Sequence, residues 1–234
     1  MNKLTKFAMS TALVMAVAVP AAAARDDEKR EVSAFNKVAL MGSMDMNVKV
    51  GGKRSVTVYG PSDLIAHLET YVEDDTLKVR YERGMKWKRA WNNSDVRVEV
   101  TIPDLTGAAV KGSGDIEVNK AKGERFSASV MGSGDLTANN FKFTYVTASV
   151  KGSGDIMMSG SCDKVSVAVL GSGDVSAEEL KCENADVNVK GSGDVEVHAS
   201  KSAKARVNGS GDVHVSGNPD KVEKRVNGSG DIHT

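Results

Sequence analysis

Seven aspartates close the same four-residue motif, Gly-Ser-Gly-Asp: Asp115, Asp135, Asp155, Asp174, Asp194, Asp212 and Asp231. The motifs start at Gly112, Gly132, Gly152, Gly171, Gly191, Gly209 and Gly228, spaced by 20, 20, 19, 20, 18 and 19 residues. Stacked carboxylates could bind cations, because like charges about 4.8 Å apart on parallel strands repel and attract counterions. They could instead accept backbone N–H groups across each corner as Asx-turns. The structural use is the expectation. The calcium-binding nonapeptide repeat has about half this period, so calcium binding stands as the alternative, and no metal ligand set or cofactor is assigned.

Three other groups carry potential chemistry. Cys162 and Cys182 each precede a motif by nine residues, so they hold equivalent positions in adjacent repeats. Stacking places their Cα atoms within disulfide range, and a disulfide is expected; a catalytic or metal pair would want a nearby His or third Cys. The segment Met85, Lys86, Trp87, Lys88, Arg89, Ala90, Trp91 holds both tryptophans of the chain beside three cations. It is a candidate ligand-contact loop, since aromatic faces and cations suit sugars, headgroups and protein partners; the alternative is that both rings close an open end of the core. Glu196, His214 and His233 share one outward position, read as an exposed ladder rather than a metal site. Asn208 and Asn227 also stack, as a hydrogen-bonding ladder. The carboxylates repeat with the motif instead of converging with unlike titratable groups, so no catalytic residues are assigned.

A repeat of about 20 residues cannot enclose its own core and must stack on its neighbours. Two residues before each motif stands a valine, from Val110 to Val226. Four before stand Ala108, Ala128, Ala148, Val167, Val187, Ala205 and Lys224. Just after each Asp come Ile116, Leu136, Ile156, Val175, Val195, Val213 and Ile232. Alternation with period two predicts strands with one buried face, near 105–110, 115–118, 126–130 and 135–138 and onward. The glycines supply positive φ at the corner, and a polar turn such as Asn119 to Gly123 closes each coil. The expected fold is all-β: a right-handed parallel β-helix with about 20 residues per coil. Weaker corners are expected at Gly42-Ser43-Met44-Asp45, Gly60-Pro61-Ser62-Asp63 and Asn92-Asn93-Ser94-Asp95. Leu64, Ile65, Leu68 and Val72 suggest a short helix inserted near the N-terminal end, and Leu77, Val79 and Tyr81 alternate as a strand.

Residues 1–24 read as a secretory signal peptide: Lys3 and Lys6, an apolar run from Phe7 to Val19, and Ala22-Ala23-Ala24 before a cleavage point at Arg25. The run is too short for a transmembrane span, so the mature chain is expected to carry none. Residues 25–33 read as a charged, flexible leader, and 34–234 as a single β-helix domain. The formal net charge is zero, and nothing argues for nucleic acid. The expected location is periplasmic or extracellular.

The Gly-Ser-Gly-Asp-Ile/Val corners, the stretch Val98-Glu99-Val100-Thr101-Ile102-Pro103-Asp104-Leu105 and the N-terminal Phe35-Asn36-Lys37-Val38 resemble the head GIN domain family of putative autotransporter adhesins. The resemblance covers nearly the whole mature chain. It implies an exported β-helix and brings no binding residues with it. A secreted, adhesin-like or envelope-associated module without catalysis follows as the functional expectation, with polysaccharide, cell envelope or another protein as partner. A polysaccharide-active β-helix enzyme and a cation-binding repeat protein remain the alternatives.

Overall fold

The computed structural model describes residues 25–86 and 96–234. The strands are β1 (Arg25–Lys29), β2 (Lys37–Met41), β3 (Asp45–Val50) and β4 (Ser55–Pro61), then helix α1 (Ser62–Ile65), β5 (Leu68–Glu73), β6 (Thr76–Tyr81), β7 (Arg97–Ile102), β8 (Gly107–Gly112) and β9 (Ile116–Val118). The long strands of the repeat follow: β10 (Ala121–Gly132), β11 (Leu136–Gly152), β12 (Ile156–Gly171), β13 (Val175–Gly191) and β14 (Val195–Gly209). β15 (Val213–Ser216), β16 (Lys221–Gly228) and β17 (Ile232–His233) finish the chain. All bridges between repeats are parallel, and the coils make a β-solenoid of about 6 turns.

Each motif residue meets its counterpart one coil away: Gly132 with Gly152, Gly152 with Gly171, Gly171 with Gly191. The inward positions are filled mostly by Val, Ala, Leu, Ile and Phe, with Met44, Met46, Met158, Cys162 and Cys182 among them, and among the described residues no polar or charged side chain is buried. Small β-branched groups suit this narrow interior, because identical shapes stack in layers at the spacing of the strands. Phe126, Phe141 and Phe143 form the bulkiest layer, with centroids 4.5–5.4 Å apart.

The polar turn expected after each motif is not open. β11 runs unbroken from Leu136 to Gly152, carrying its ladder round the second bend, with Phe141 and Phe143 pointing inward. Register shifts fall there, at Ala138/Phe141, Met157/Gly160 and Ala177/Lys181. They absorb the differences in repeat length. The Gly-Ser-Gly corner cannot absorb them, because its backbones are packed too closely.

The N-terminal end departs from the repeat. β2 pairs with β8 on one side and β6 on the other; β3 likewise lies between β9 and β7. The first coil is therefore inserted between coils that come later in the chain. Gly42 to Asp45 is a true corner, since Gly42 O accepts the N–H groups of Ser113 and Gly114. Gly60-Pro61-Ser62-Asp63 is not: Gly60 and Pro61 end β4, which pairs antiparallel with β7 and β1. Proline lacks the N–H that a stacked corner donates. The Asn92 to Asp95 corner lies outside the described residues. The inserted helix covers only Ser62–Ile65, burying Leu64 and Ile65, while Leu68 and Val72 belong to β5. β5 and β6 form a hairpin through Asp74 and Asp75, whose φ values of 50° and 57° are those of a type I′ turn.

The flexible leader is also corrected. Residues 25–29 form β1, paired with β4 from Arg25↔Pro61 to Lys29↔Thr57. Arg30 anchors it, donating from its guanidinium to Ile65 O at 2.7 Å and from its backbone N–H to Val56 O at 2.9 Å. An exposed strand edge on β4 supplies the partners that charge alone did not suggest. Across the final coil, Val222 and Val226 are 39% and 43% exposed. Lys224, at an inward position, donates its ammonium to Ile232 O at 3.1 Å.

Candidate functional site

The aspartates do not close Asx-turns within their own corners. From Asp45 to Asp212, each Oδ1 accepts the backbone N–H of the aspartate one coil on: Asp45 from Asp115 at 3.1 Å, Asp115 from Asp135 at 2.8 Å, and so on to Asp212 from Asp231 at 2.7 Å. The first glycine of each motif has φ between 138° and 148°, as only glycine readily adopts. The second glycine is needed for a different reason. A Cβ on Gly154 would collide with the carbonyl oxygen of Gly134 in the coil beneath. The corner thus bonds coils together and spends one carboxylate oxygen per aspartate on a backbone N–H. Among the described residues, no three His, Cys, Asp or Glu side chains converge as a metal would require.

Cys162 and Cys182 face each other in register on β12 and β13, at disulfide distance, with a Cα–Cα separation of 4.5 Å. Both are buried. Glu196, His214 and His233 align as one outward column, where Glu196 accepts from Ser176 Oγ at 3.3 Å. Asn227 Nδ2 donates to Asn208 Oδ1 at 3.0 Å.

Of the aromatic loop, Met85 and Lys86 are described; Trp87, Lys88, Arg89 and Trp91 lie outside the described residues. Met85 packs partly buried against the core, and its N–H reaches Glu82 O at 3.4 Å. Lys86 is exposed. The loop leaves from Tyr81 at the end of β6, whose phenol is pushed up to about 12 by burial. It returns at Val96, buried ahead of β7.

One feature escaped the sequence reading. A cleft of about 390 Å³ opens between the end of β3, the turn after β7 and the start of β10. Its walls are Val50, Gly51, Pro103, Asp104, Lys120, Ala121, Lys122, Asn140 and Lys142. The sequence signal was present: Lys122 and Lys142 each stand seven residues after the motif aspartate. Reading Asn119 to Gly123 as an ordinary polar turn concealed it.

A parallel β-solenoid with a bonded Gly-Ser-Gly-Asp corner defines the class of this protein. The chain belongs to the family described as putative auto-transporter adhesin, head GIN domain, whose model matches residues 34–219. It is similar to a putative adhesin from Bacteroides fragilis, at 22% identity and a TM-score of 0.83, covering 90% of this chain and 96% of that one. It is also similar to a putative adhesin from Parabacteroides merdae, at 18% identity and a TM-score of 0.68, with coverage of 90% and 96%. A putative lipid binding protein from Parabacteroides distasonis aligns at 25% identity and a TM-score of 0.72, covering 89% and 96%. No curated protein matches the chain. Among the described residues no helix is long and apolar enough to cross a membrane.

Proposed function

We propose that this protein is an exported, non-catalytic, adhesin-like binding module of the cell envelope, engaging a polysaccharide, an envelope component or another protein. Membership of an adhesin family over residues 34–219 carries the reading. The regular solenoid supports it, because a stack of bonded coils presents fixed columns of side chains rather than one reacting centre. Export is supported by the signal-like residues 1–24 and by a cysteine pair at disulfide distance, which suits an oxidising compartment. Cleavage before Arg25 would leave β1 intact.

The segment from Met85 to Trp91 is the proposed contact loop, with Lys86, Trp87, Lys88, Arg89 and Trp91 as its binding side chains. The test is a screen of the exported protein against glycans and envelope fractions, with Trp87→Ala/Trp91→Ala beside it. Lost binding with an unchanged melting temperature supports the loop. A loss of about 3–5 kcal/mol of stability from either single substitution would mean that the rings cover the core instead.

A further inference from the structure

We infer that the Lys120–Lys122–Lys142 cleft is a binding subsite for an acidic polysaccharide, one bearing carboxylate or sulfate groups. The inference rests on the adhesin reading and names a ligand class and a second site for it. The contact loop returns to the β7 end that starts at Arg97, whereas this cleft lies beyond Ile102 at the other end of that strand.

The charge is unbalanced. Three lysines and one acid, Asp104, line the cleft. Lys122 and Lys142 are directly paired in register on neighbouring strands β10 and β11. Like charges placed opposite one another on a sheet are unfavourable. Where charges meet elsewhere on this surface they find a counter-ion: Lys204, in register with Glu223, pairs with it at 2.9 Å, and Arg206, in register with Arg225, reaches Asp186 at 3.3 Å. None of the three cleft lysines has an ion-pair partner among the described residues, and all three are exposed. An arriving anion would balance them.

The walls are held in place before any ligand arrives. Asn119 Oδ1 accepts the N–H of Val50 at 3.0 Å, and Asn119 O accepts from Asn140 Nδ2 at 3.3 Å. Asn140, at a φ of 53°, donates its own N–H to Ser159 Oγ at 3.2 Å. Gly51 N–H donates to Ile102 O at 2.8 Å, and the Lys120 side chain lies over the bare side of Gly51. A fixed wall lowers the ordering cost of binding.

The shape selects a chain rather than a membrane. Lys122 and Lys142 also line the adjoining hollow, which continues along the stack through Phe143, Ser161, Cys162 and Asp163. The groove therefore runs across successive coils, with its positive charge concentrated at Lys120, Lys122 and Lys142 and Asp163 beyond them. Among the described residues, the exposed large apolar side chains Met131, Tyr145, Met157, Leu170, Val222 and Val226 line neither hollow, so the lining itself offers a bilayer no exposed large apolar anchor.

The test compares binding of the full mature protein to heparin, polygalacturonate, neutral dextran, and vesicles of equal phosphatidylcholine and phosphatidylglycerol. Lys120→Gln/Lys122→Gln/Lys142→Gln should weaken heparin or polygalacturonate binding roughly tenfold, the sum of a few exposed ionic contacts. Lys→Arg at the same three positions should retain it. Lys111→Gln/Lys151→Gln/Lys190→Gln removes as much charge from another exposed column and should leave binding nearly unchanged. All variants should keep the parent melting temperature. Equal loss in both glutamine variants, no binding to either polyanion, or binding to vesicles alone would overturn the inference. Envelope binding that survives the cleft variant but is lost in Trp87→Ala/Trp91→Ala would also overturn it while leaving the adhesin reading in place.

Discussion

Asp155 donates its backbone N–H to Oδ1 of Asp135 at 2.8 Å, and its carbonyl accepts the N–H of Leu136 at 2.9 Å. The two aspartates are 20 residues apart in the chain and adjacent in the stack. Between these bonds the corner is pinned to the coil before it, through a side chain on one side and the backbone on the other. Negative charge is thereby placed against N–H dipoles rather than against its neighbours alone.

Asp135→Ala removes the acceptor and leaves the Asp155 N–H to find water. The expected loss is about 1 kcal/mol, as for an unmade hydrogen bond of this kind. Asp135→Asn keeps an Oδ1 and relieves like-charge repulsion, so it should fall within about 0.5 kcal/mol of the parent. Urea denaturation of both variants checks this. Equal losses would show that charge, not the acceptor, is what the corner uses.

Gly154→Ala should cost about 3 kcal/mol or more, because its Cβ meets the Gly134 carbonyl and the coils would have to part. Its neighbour Ser153 is exposed, so Ser153→Ala should be nearly silent. Thermal melts of the pair separate close backbone approach from any general sensitivity of the corner.

Cys162 and Cys182 close a loop of 20 residues, worth on the order of 3 kcal/mol if the chain-entropy account holds. Thiol labelling of unreduced, denatured exported protein should find no free cysteine. Reduction should then lower the melting temperature. Two free thiols in exported material would refute the pairing.

Burial pushes the Tyr81 phenol from 10.0 up to about 12. Between these values the unfolded chain gives up this proton and the folded chain keeps it. Folded stability should therefore be intact below pH 10 and decline as the pH rises towards 12. A tyrosinate absorbance titration should show one phenol ionising near the upper value, and Tyr81→Phe should abolish it together with its share of the alkaline slope. An unchanged late phase in that variant would assign it elsewhere.

The period of two around Val110, Val130 and Val150, and the recurrence of one motif, were enough to determine a stacked, parallel, apolar-cored solenoid. They also placed Cys162 opposite Cys182. These features repeat along the chain, so each coil states the same geometry and the stack follows from any one of them. The N-terminal end does not repeat. Gly42 and Gly60 looked alike as corners, but only Gly42 has a later coil, 70 residues on, to donate to it through Ser113 and Gly114. Whether a glycine corner is stacked depends on a backbone elsewhere in the chain, which local pattern cannot report. Charge misled at residues 25–29, where the free edge of β4 decided the outcome. The lysine cleft likewise needed the fold, because Gly51 and Pro103 reach Lys120, Lys122 and Lys142 only when the first coil is inserted beneath them. Side-chain periodicity sets what one coil does; which coil lies beside which is settled by backbone hydrogen bonds between residues far apart in the chain.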